Sequence, residues 1–223
     1  MNASLELPFQ KGLRIMSVKQ VVSLLLLCSW TSVVAQAQAA GESPVGTHLR
    51  TNETVIVLAM HGEPPRDYPN KELGEFFRLH AQVEMGRLQD PQQRQRYAEL
   101  DARIRNWPRT AENDPFYVGS QAMADQLRKA TGKEVIVGFN EFCGPSIDEA
   151  LEQAVARKAE KVIVITPMMT PGGGHSEMEI PTAVSRAQES YPDVIFSYIW
   201  PFDLSEVAQF LAAQIDRATQ QTH

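Results

Sequence analysis

Residues 55–62, VIVLAMHG, place an unbroken run of six apolar side chains directly before a histidine and a glycine. A continuous apolar run, in contrast to an alternating one, is typical of a strand that is buried on both faces. Glu63 and two consecutive prolines follow Gly62, and they predict a loop at the carboxyl end of this strand. His61 is therefore expected at the edge of a buried sheet.

Further apolar runs and helical segments follow this first strand in alternation. Strands are predicted at residues 134–139, 161–166 and 194–199, and helices at residues 145–156, 176–190 and 204–218. Alternating strands and helices predict an α/β fold with a four-stranded parallel sheet that is flanked by helices on both faces. Right-handed crossovers then place the carboxyl ends of all four strands along one edge, where open α/β sheets bind ligands.

The first crossover is much longer than the others. Residues 66–115 are rich in Glu, Arg, Gln and Leu, and Pro91 is expected to open a helix within this segment. A further helix is expected from about Pro115 to a stop near Gly132. We therefore predict that residues 66–115 form a helical insertion over the ligand-binding edge.

The amino-terminal segment is typical of a secretory signal peptide. Lys19 precedes the apolar run 21–27 (VVSLLLL), and residues 35–39 (AQAQA) provide two A-x-A cleavage sites. Residues 1–39 are thus predicted to be removed, and residues 40–53 to form a flexible lead-in. A retained membrane anchor is the alternative, but the apolar run is short for a bilayer span. The expected mature protein is periplasmic, with no stable membrane insertion.

Composition and motifs exclude several classes of function. The chain has 27 acidic and 21 basic side chains and a net charge of −6, which argues against nucleic-acid binding. It lacks a P-loop and has no G-x-G-x-x-G after the first strand, so no nucleotide cofactor is expected. It also lacks a G-x-S-x-G elbow, which argues against an α/β-hydrolase.

Metal-ligating side chains follow three of the predicted strands. His61 closes the first strand, Glu141 follows the second, and His175 follows the third after a glycine-rich loop. Glu179 lies four residues after His175, on the same side of a predicted helix. Imidazole and carboxylate groups suit iron, cobalt, nickel, copper or zinc. The sequence therefore predicts a metal site at this edge of the sheet.

These residues also have purely structural interpretations. His61 could hydrogen-bond a loop carbonyl group, and Glu141 could cap the helix that begins near Pro145. The three glycines at 172–174 could bind an anion, as glycine-rich loops before helices do. Cys143 is either a nucleophile or a small buried side chain, and its surroundings favour the second.

Four stretches of the chain, in order, resemble a known family. These stretches are residues 57–62 (VLAMHG), 138–147 (GFNEFCGPSI), 162–167 (VIVITP) and 173–181 (GGHSEMEIP). They are similar to the strand ends of the CbiX-type sirohydrochlorin chelatases, which are class II chelatases like ferrochelatase. Two departures stand out: Glu63 replaces a polar Ser or Arg, and Glu179 replaces an Asp.

The resemblance implies that residues 54–223 form a chelatase-like domain that inserts a divalent metal into a tetrapyrrole such as sirohydrochlorin, a step of cobalamin biosynthesis. The metal substrate would be Co²⁺ or Fe²⁺, with Ni²⁺ or Zn²⁺ as further possibilities. The resemblance makes His61 and His175 a pair that binds metal and accepts protons, supported by the carboxylate of Glu141. A non-catalytic periplasmic metal- or haem-binding protein on the same fold is the alternative.

The resemblance has three further implications for substrate and assembly. Met60, Met168 and Met169 would form an apolar wall against the macrocycle, with core packing as the alternative. Arg66, Lys71 and Arg78 are candidates to offset the carboxylates of the substrate, although solvated helix charges are the more natural interpretation. Since one four-stranded module is half of the duplicated arrangement in longer chelatases, a homodimer is expected.

Overall fold

The computed structural model describes residues 53–220, and its centre is a four-stranded sheet. The strands are β1 (Thr54–Met60), β2 (Glu134–Phe139), β3 (Lys161–Ile165) and β4 (Ile195–Ile199). Their spatial order is β2-β1-β3-β4, and every pair is parallel. The predicted α/β class with a parallel sheet is thus confirmed. The predicted signal peptide, and the lead-in except Glu53, lie outside the described residues.

Within residues 53–220, six α-helices and one π-helical turn connect or follow the strands. The helices are α1 (Asn70–Glu84), α2 (Pro91–Arg105), α3 (Pro115–Thr131), α4 (Ile147–Ala156), α5 (Ile180–Ser190) and α6 (Leu204–Gln220). The helix predicted from residue 176 instead begins as a π-helical turn, His175–Glu179, and becomes α-helical at Ile180. Asp90 and Asp114 cap α2 and α3 ahead of a proline at the first helical position, as their sequences predict.

Side-chain alternation along β1 builds two cores, one on each face of the sheet. Val55, Val57 and Ala59 point to the face covered by α4 and α5. The intervening residues point to the opposite face, which α3 covers. Met60 belongs to this second set and is buried in the core, so it is not available to a macrocycle. This corrects the sequence-based assignment of Met60 to an apolar wall.

The strand order creates a crevice between β1 and β3. The chain leaves β1 towards β2 on one side and leaves β3 towards β4 on the other. The helices that follow, α3 and α5, pack on opposite faces of the sheet. Ligands of open α/β sheets bind at the carboxyl end of such a topological switch point. The loops that carry His61 and His175 begin at these two strands.

The helices α1 and α2, which lie within residues 66–115, form a third core of their own. Phe76 and Leu79 of α1 pack with Leu100 and Ile104 of α2. Phe142, from the loop after β2, is buried in the same cluster. The α1–α2 pair is therefore packed onto a loop at the carboxyl edge of the sheet.

A buried arginine holds the segments around this edge together. The Arg109 guanidinium donates hydrogen bonds to the carboxylate of Asp114 at 2.6 Å and to backbone carbonyl groups of three separate segments. These carbonyl groups belong to Glu63 after β1, Ile104 of α2 and Phe142 after β2. The Arg109 side chain is 6% exposed and that of Asp114 is fully buried. The ion pair thus fixes the first two strand-end loops against the α1–α2 pair.

The helix α6 contrasts with the other helices because it buries none of its residues. Its exposed apolar side chains include Leu204, Phe210, Leu211 and Ile215. Ile195 and Ile199 of the edge strand β4 are exposed as well. Within residues 53–220, no helix has both the length and the apolar character needed to cross a membrane.

We predict that Arg109→Met destabilises the fold by about 3–5 kcal/mol, because it leaves the buried carboxylate of Asp114 without its counter-charge. Urea unfolding measures this loss. Arg157→Met is the matched control, since the Arg157–Glu134 pair is exposed and its loss is expected to cost about 1 kcal/mol or less. Equal losses in the two variants would contradict the assigned role of Arg109.

Candidate metal centre

Two imidazoles and one carboxylate meet at the carboxyl edge of the sheet. One ligand atom from each of His61, Glu141 and His175 lies within 4.8 Å of the other two. The imidazole rings of His61 and His175 are perpendicular, with their centroids 4.6 Å apart. The structure thus brings together three side chains that are far apart in the sequence, at a separation that one metal ion could bridge.

The backbone explains why His61 and Glu141 are neighbours. The amide of Asn140 donates to the carbonyl oxygen of Met60 at 2.9 Å, and the amide of Glu141 donates to that of His61 at 2.9 Å. The β1–β2 pairing therefore continues beyond the strands themselves. Gly62 adopts a φ of 101°, and a Cβ atom at this position would lie 1.9 Å from the carbonyl oxygen of Glu141. Only glycine permits this close approach of the two loops.

The orientation of the His61 ring leaves one nitrogen for a metal. Its Nδ1 lies 2.6 Å from the carbonyl oxygen of Gly62. Because a carbonyl oxygen can only accept, Nδ1 carries the proton, and in the neutral ring Nε2 keeps its lone pair. This Nε2 lies 4.0 Å from Oε2 of Glu141. The structural interpretation of His61 and the metal-site prediction are therefore compatible, since each uses a different ring nitrogen.

A second carboxylate orients His175 in the same way. Nδ1 of His175 lies 2.8 Å from Oε2 of Glu179, its neighbour across the π-helical turn. This hydrogen bond is the main reason that the pKa of His175 is raised and that of Glu179 is lowered. Nε2 of the neutral His175 ring is left for a metal, as in many metal sites where a carboxylate holds the other ring nitrogen. Glu179, predicted as a ligand, is thus placed behind His175 and not in the group of three.

One residue of the centre was missed by the sequence analysis. His80 of α1 places its Nε2 3.1 Å from Oε1 of Glu141 and its Nδ1 3.0 Å from the hydroxyl group of Tyr97. A signal was present, because His80 falls in the apolar stripe of α1 that includes Leu73 and Phe76. A histidine in such a stripe, on a helix expected over a ligand-binding edge, is a candidate site residue.

The remaining candidates lie around the centre or outside it. Met168 is half-buried against the core of α4 and α5, and Met169 is also half-buried. Cys143 is fully buried, and burial raises the pKa of its thiol to about 11, so it is not an activated nucleophile. The predicted cap role of Glu141 is instead taken by Ser146 and Glu149, which form a capping box at the start of α4.

A cavity of about 350 Å³ lies next to the centre. Its lining includes Asn140, which precedes Glu141 in the sequence, and Glu179, which contacts His175. Met178 is exposed on its wall. Arg105 and Arg186 also line it, but Arg105 pairs with Asp101 and Arg186 with Asp148. The cavity has both an apolar and a charged lining.

Residues 117–218 match the model of the protein family described as CbiX. This segment contains Glu141 and His175, and it begins after His61 and His80. The matched segment covers a little under half of the chain.

Individual relatives resemble this chain in part. The sirohydrochlorin cobaltochelatase of Priestia megaterium is 40% identical over 70 residues, which are 31% of this chain and 22% of the relative. A solved putative cobalamin biosynthesis CbiX protein from Marinobacter aquaeolei is 12% identical, with a TM-score of 0.43 over 76% of this chain and 99% of that chain. The sirohydrochlorin chelatase SirB from Bacillus subtilis subspecies spizizenii, solved with cobalt, is 17% identical, with a TM-score of 0.34 over 67% of this chain and 43% of that chain.

We predict that Glu179→Gln lowers the pKa of His175, because the carboxylate that stabilises the imidazolium is replaced by a neutral amide. An NMR titration of the imidazole measures this shift. Glu177→Gln is the matched control, since the Glu177 carboxylate accepts a hydrogen bond from the Gly172 amide and does not contact His175.

The His175–Glu179 pair is expected to stabilise the folded protein only within a limited pH range. Folding raises the pKa of His175, so this contribution is complete at low pH and is lost as the pH rises through the native pKa. Folding lowers the pKa of Glu179, so that contribution is lost as the pH falls through its native pKa. The stability difference between the parent and Glu179→Gln should therefore peak between the two pKa values. A pH-independent difference would contradict the pairing.

Proposed function

We propose that the protein is a metallochelatase that inserts a divalent metal, Co²⁺ or Fe²⁺, into a tetrapyrrole such as sirohydrochlorin. The observation that carries this proposal is the convergence of His61, Glu141 and His175 within 4.8 Å at the sheet edge. The CbiX family match and the partial similarity to a cobaltochelatase support the same activity.

The donor set suits both halves of this reaction. Metallation of a free tetrapyrrole releases two pyrrole N–H protons for each divalent cation that enters, so the site must deliver a cation and accept protons. Nε2 of His61 and of His175 can do either, because their Nδ1 atoms are held by Gly62 and Glu179. The Glu141 carboxylate balances the charge of the cation or of an imidazolium.

The choice of metal follows from the ligand chemistry. Imidazole nitrogen suits iron, cobalt, nickel and zinc, whereas magnesium prefers oxygen ligands and water. Among these metals, cobalt is favoured by the cobaltochelatase relative. The macrocycle would lie over the cavity beside the centre. Met178, which is exposed on the wall of this cavity, replaces Met60 in our proposal for an apolar wall. Met168 and Met169 do not line the cavity and stay candidates on the basis of the sequence alone.

We predict that His175→Ala lowers the rate of cobalt insertion into sirohydrochlorin by at least 100-fold, because one ligand and proton acceptor is lost. The change in absorbance of the macrocycle measures the rate. Arg157→Met, on the exposed ion pair with Glu134, is the control and should retain the parent rate. An unchanged rate in His175→Ala would refute the proposed role.

The same assay separates the chelatase from its alternative. Both Co²⁺ and Fe²⁺ are tested for insertion into sirohydrochlorin. If the parent protein inserts neither metal but binds haem or metal tightly, it is a metal- or haem-binding protein on a chelatase fold. Metal insertion that is faster with the protein than without it supports the enzyme.

We further propose a homodimer in which α6 of each protomer covers apolar surface of the other. All residues of α6 except Val207 are exposed, although Leu204, Leu211 and Ile215 form one apolar stripe along it. An amphipathic helix is stable mainly through the burial of such a stripe. The exposed Ile195 and Ile199 on β4 offer a sheet surface of the kind that a helix covers. In a dimer, the apolar stripe of α6 and the exposed face of β4 in one protomer can each be covered by the other protomer. We therefore propose a second copy of this chain as the partner.

We predict that Leu211→Asp shifts the protein from dimer to monomer, because it places a charge in the proposed interface. Sedimentation velocity of the full chain measures the oligomeric state. Gln209→Asp makes the same charge change on the opposite side of α6, and this control should remain dimeric. A parent protein that sediments as a monomer would refute the interface.

We also propose that the protein acts in the periplasm. Residues 1–39, which the structure does not describe, carry the pattern of a cleaved signal peptide. The N-terminal sequence of the protein isolated from its native cells, together with the cell fraction that contains it, tests this: a start near residue 40 supports export, and an intact N-terminus in the cytoplasmic fraction refutes it.

A further inference from the structure

His80 and His61 approach different oxygens of the Glu141 carboxylate. The carboxylate of Glu141 places Oε1 3.1 Å from Nε2 of His80, whereas Oε2 is the oxygen nearer to His61. A glutamate side chain has several rotatable bonds, and its orientation at a loop depends on such contacts. One oxygen of the carboxylate is therefore held by His80, while the other is on the side of His61.

The His80 ring is itself held in a single orientation. The ring of Phe76 stacks on it, with an interplanar angle of 9° and centroids 5.6 Å apart. The hydroxyl group of Tyr97 lies 3.0 Å from Nδ1. Because the carboxylate of Glu141 can only accept, Nε2 carries a proton, and in the neutral ring Nδ1 accepts the proton of the Tyr97 hydroxyl. Burial raises the pKa of Tyr97 to about 12, so this hydroxyl remains a donor.

The chain of contacts runs from the α1–α2 pair into the metal centre. Tyr97 lies on α2, and His80 lies on α1 one turn after the buried Phe76. The side chain of Glu141 is 17% exposed and that of His80 is 21% exposed. In so sheltered a place, a hydrogen bond to a carboxylate is stronger than it is in water. This is the arrangement by which residues outside the ligand set orient a ligand.

We propose that His80, held by Tyr97, positions the Glu141 carboxylate for metal binding. The helices α1 and α2 thereby contribute to the metal centre. The inference rests on the proposed function because it takes Glu141 as a metal ligand. His80 acts through Glu141 and is a positioning residue. The consequence is that changes in α1 and α2 alter metal affinity without touching a ligand.

The test measures Co²⁺ affinity of the full chain by isothermal titration calorimetry, without any tetrapyrrole. His80→Phe keeps a ring that can stack on Phe76 but removes the donor to Glu141, and we expect affinity to fall about 10–100-fold. His80→Gln restores an N–H donor and should recover most of this loss. Tyr97→Phe removes only one hydroxyl group and should give a smaller loss in the same direction.

A double-mutant cycle separates positioning from a general structural effect. If His80 acts through Glu141, His80→Phe should weaken Co²⁺ binding in the parent but have little further effect in the Glu141→Gln background. Equal losses in both backgrounds would overturn the inference. Should His80→Phe fail to fold, the same cycle is run with Tyr97→Phe, and the same criterion applies.

The outcomes also distinguish this inference from the proposed function. If His61→Ala and His175→Ala lose Co²⁺ affinity while His80→Phe binds as the parent does, the positioning role is wrong and the metal centre stands. If His61→Ala and His175→Ala bind Co²⁺ as the parent does, the metal centre itself is wrong.

Discussion

The contact between two backbones at Gly62 is the constraint on which the centre depends. The carbonyl oxygen of Glu141 occupies the space that a side chain at position 62 would need. This close approach lets the β1–β2 hydrogen bonds continue to Glu141, and it brings an imidazole and a carboxylate from loops 80 residues apart into one place. Any larger residue would push the loops apart and separate the two side chains.

Around this contact, each of the three central side chains is held by a hydrogen-bonding partner. A carbonyl oxygen orients His61, a carboxylate orients His175, and a second imidazole orients Glu141. If these side chains bind a cation as proposed, each loses little conformational entropy, because its orientation is set beforehand. Arg109 performs a similar task for the backbone, since one buried guanidinium fixes the loops after β1 and β2 and the end of α2.

The sequence was sufficient to predict the sheet and the meeting of the three central residues, because the carboxyl ends of parallel strands lie along one edge. It was not sufficient for contacts that depend on the rotation of an element about its own axis. His80 was missed for this reason, since the period of α1 marks an apolar stripe but not where that stripe meets the sheet edge. Met60 was misassigned because alternation along β1 directs it into the core. Glu179 was placed on the correct side of its helix, but its distance from the centre depends on the π-helical turn.

That turn makes the position of His175 depend on chain length as well as on residue identity. The amide of Ile180 donates to the carbonyl oxygen of His175, five residues earlier, so the turn holds one residue more than an α-helix would. Deleting a single residue here would restore ordinary helical winding and swing the imidazole by about 100° around the axis of α5. One deletion would thus separate the imidazole of His175 from the other two central side chains and remove the proposed metal site, although all three residues would still be present.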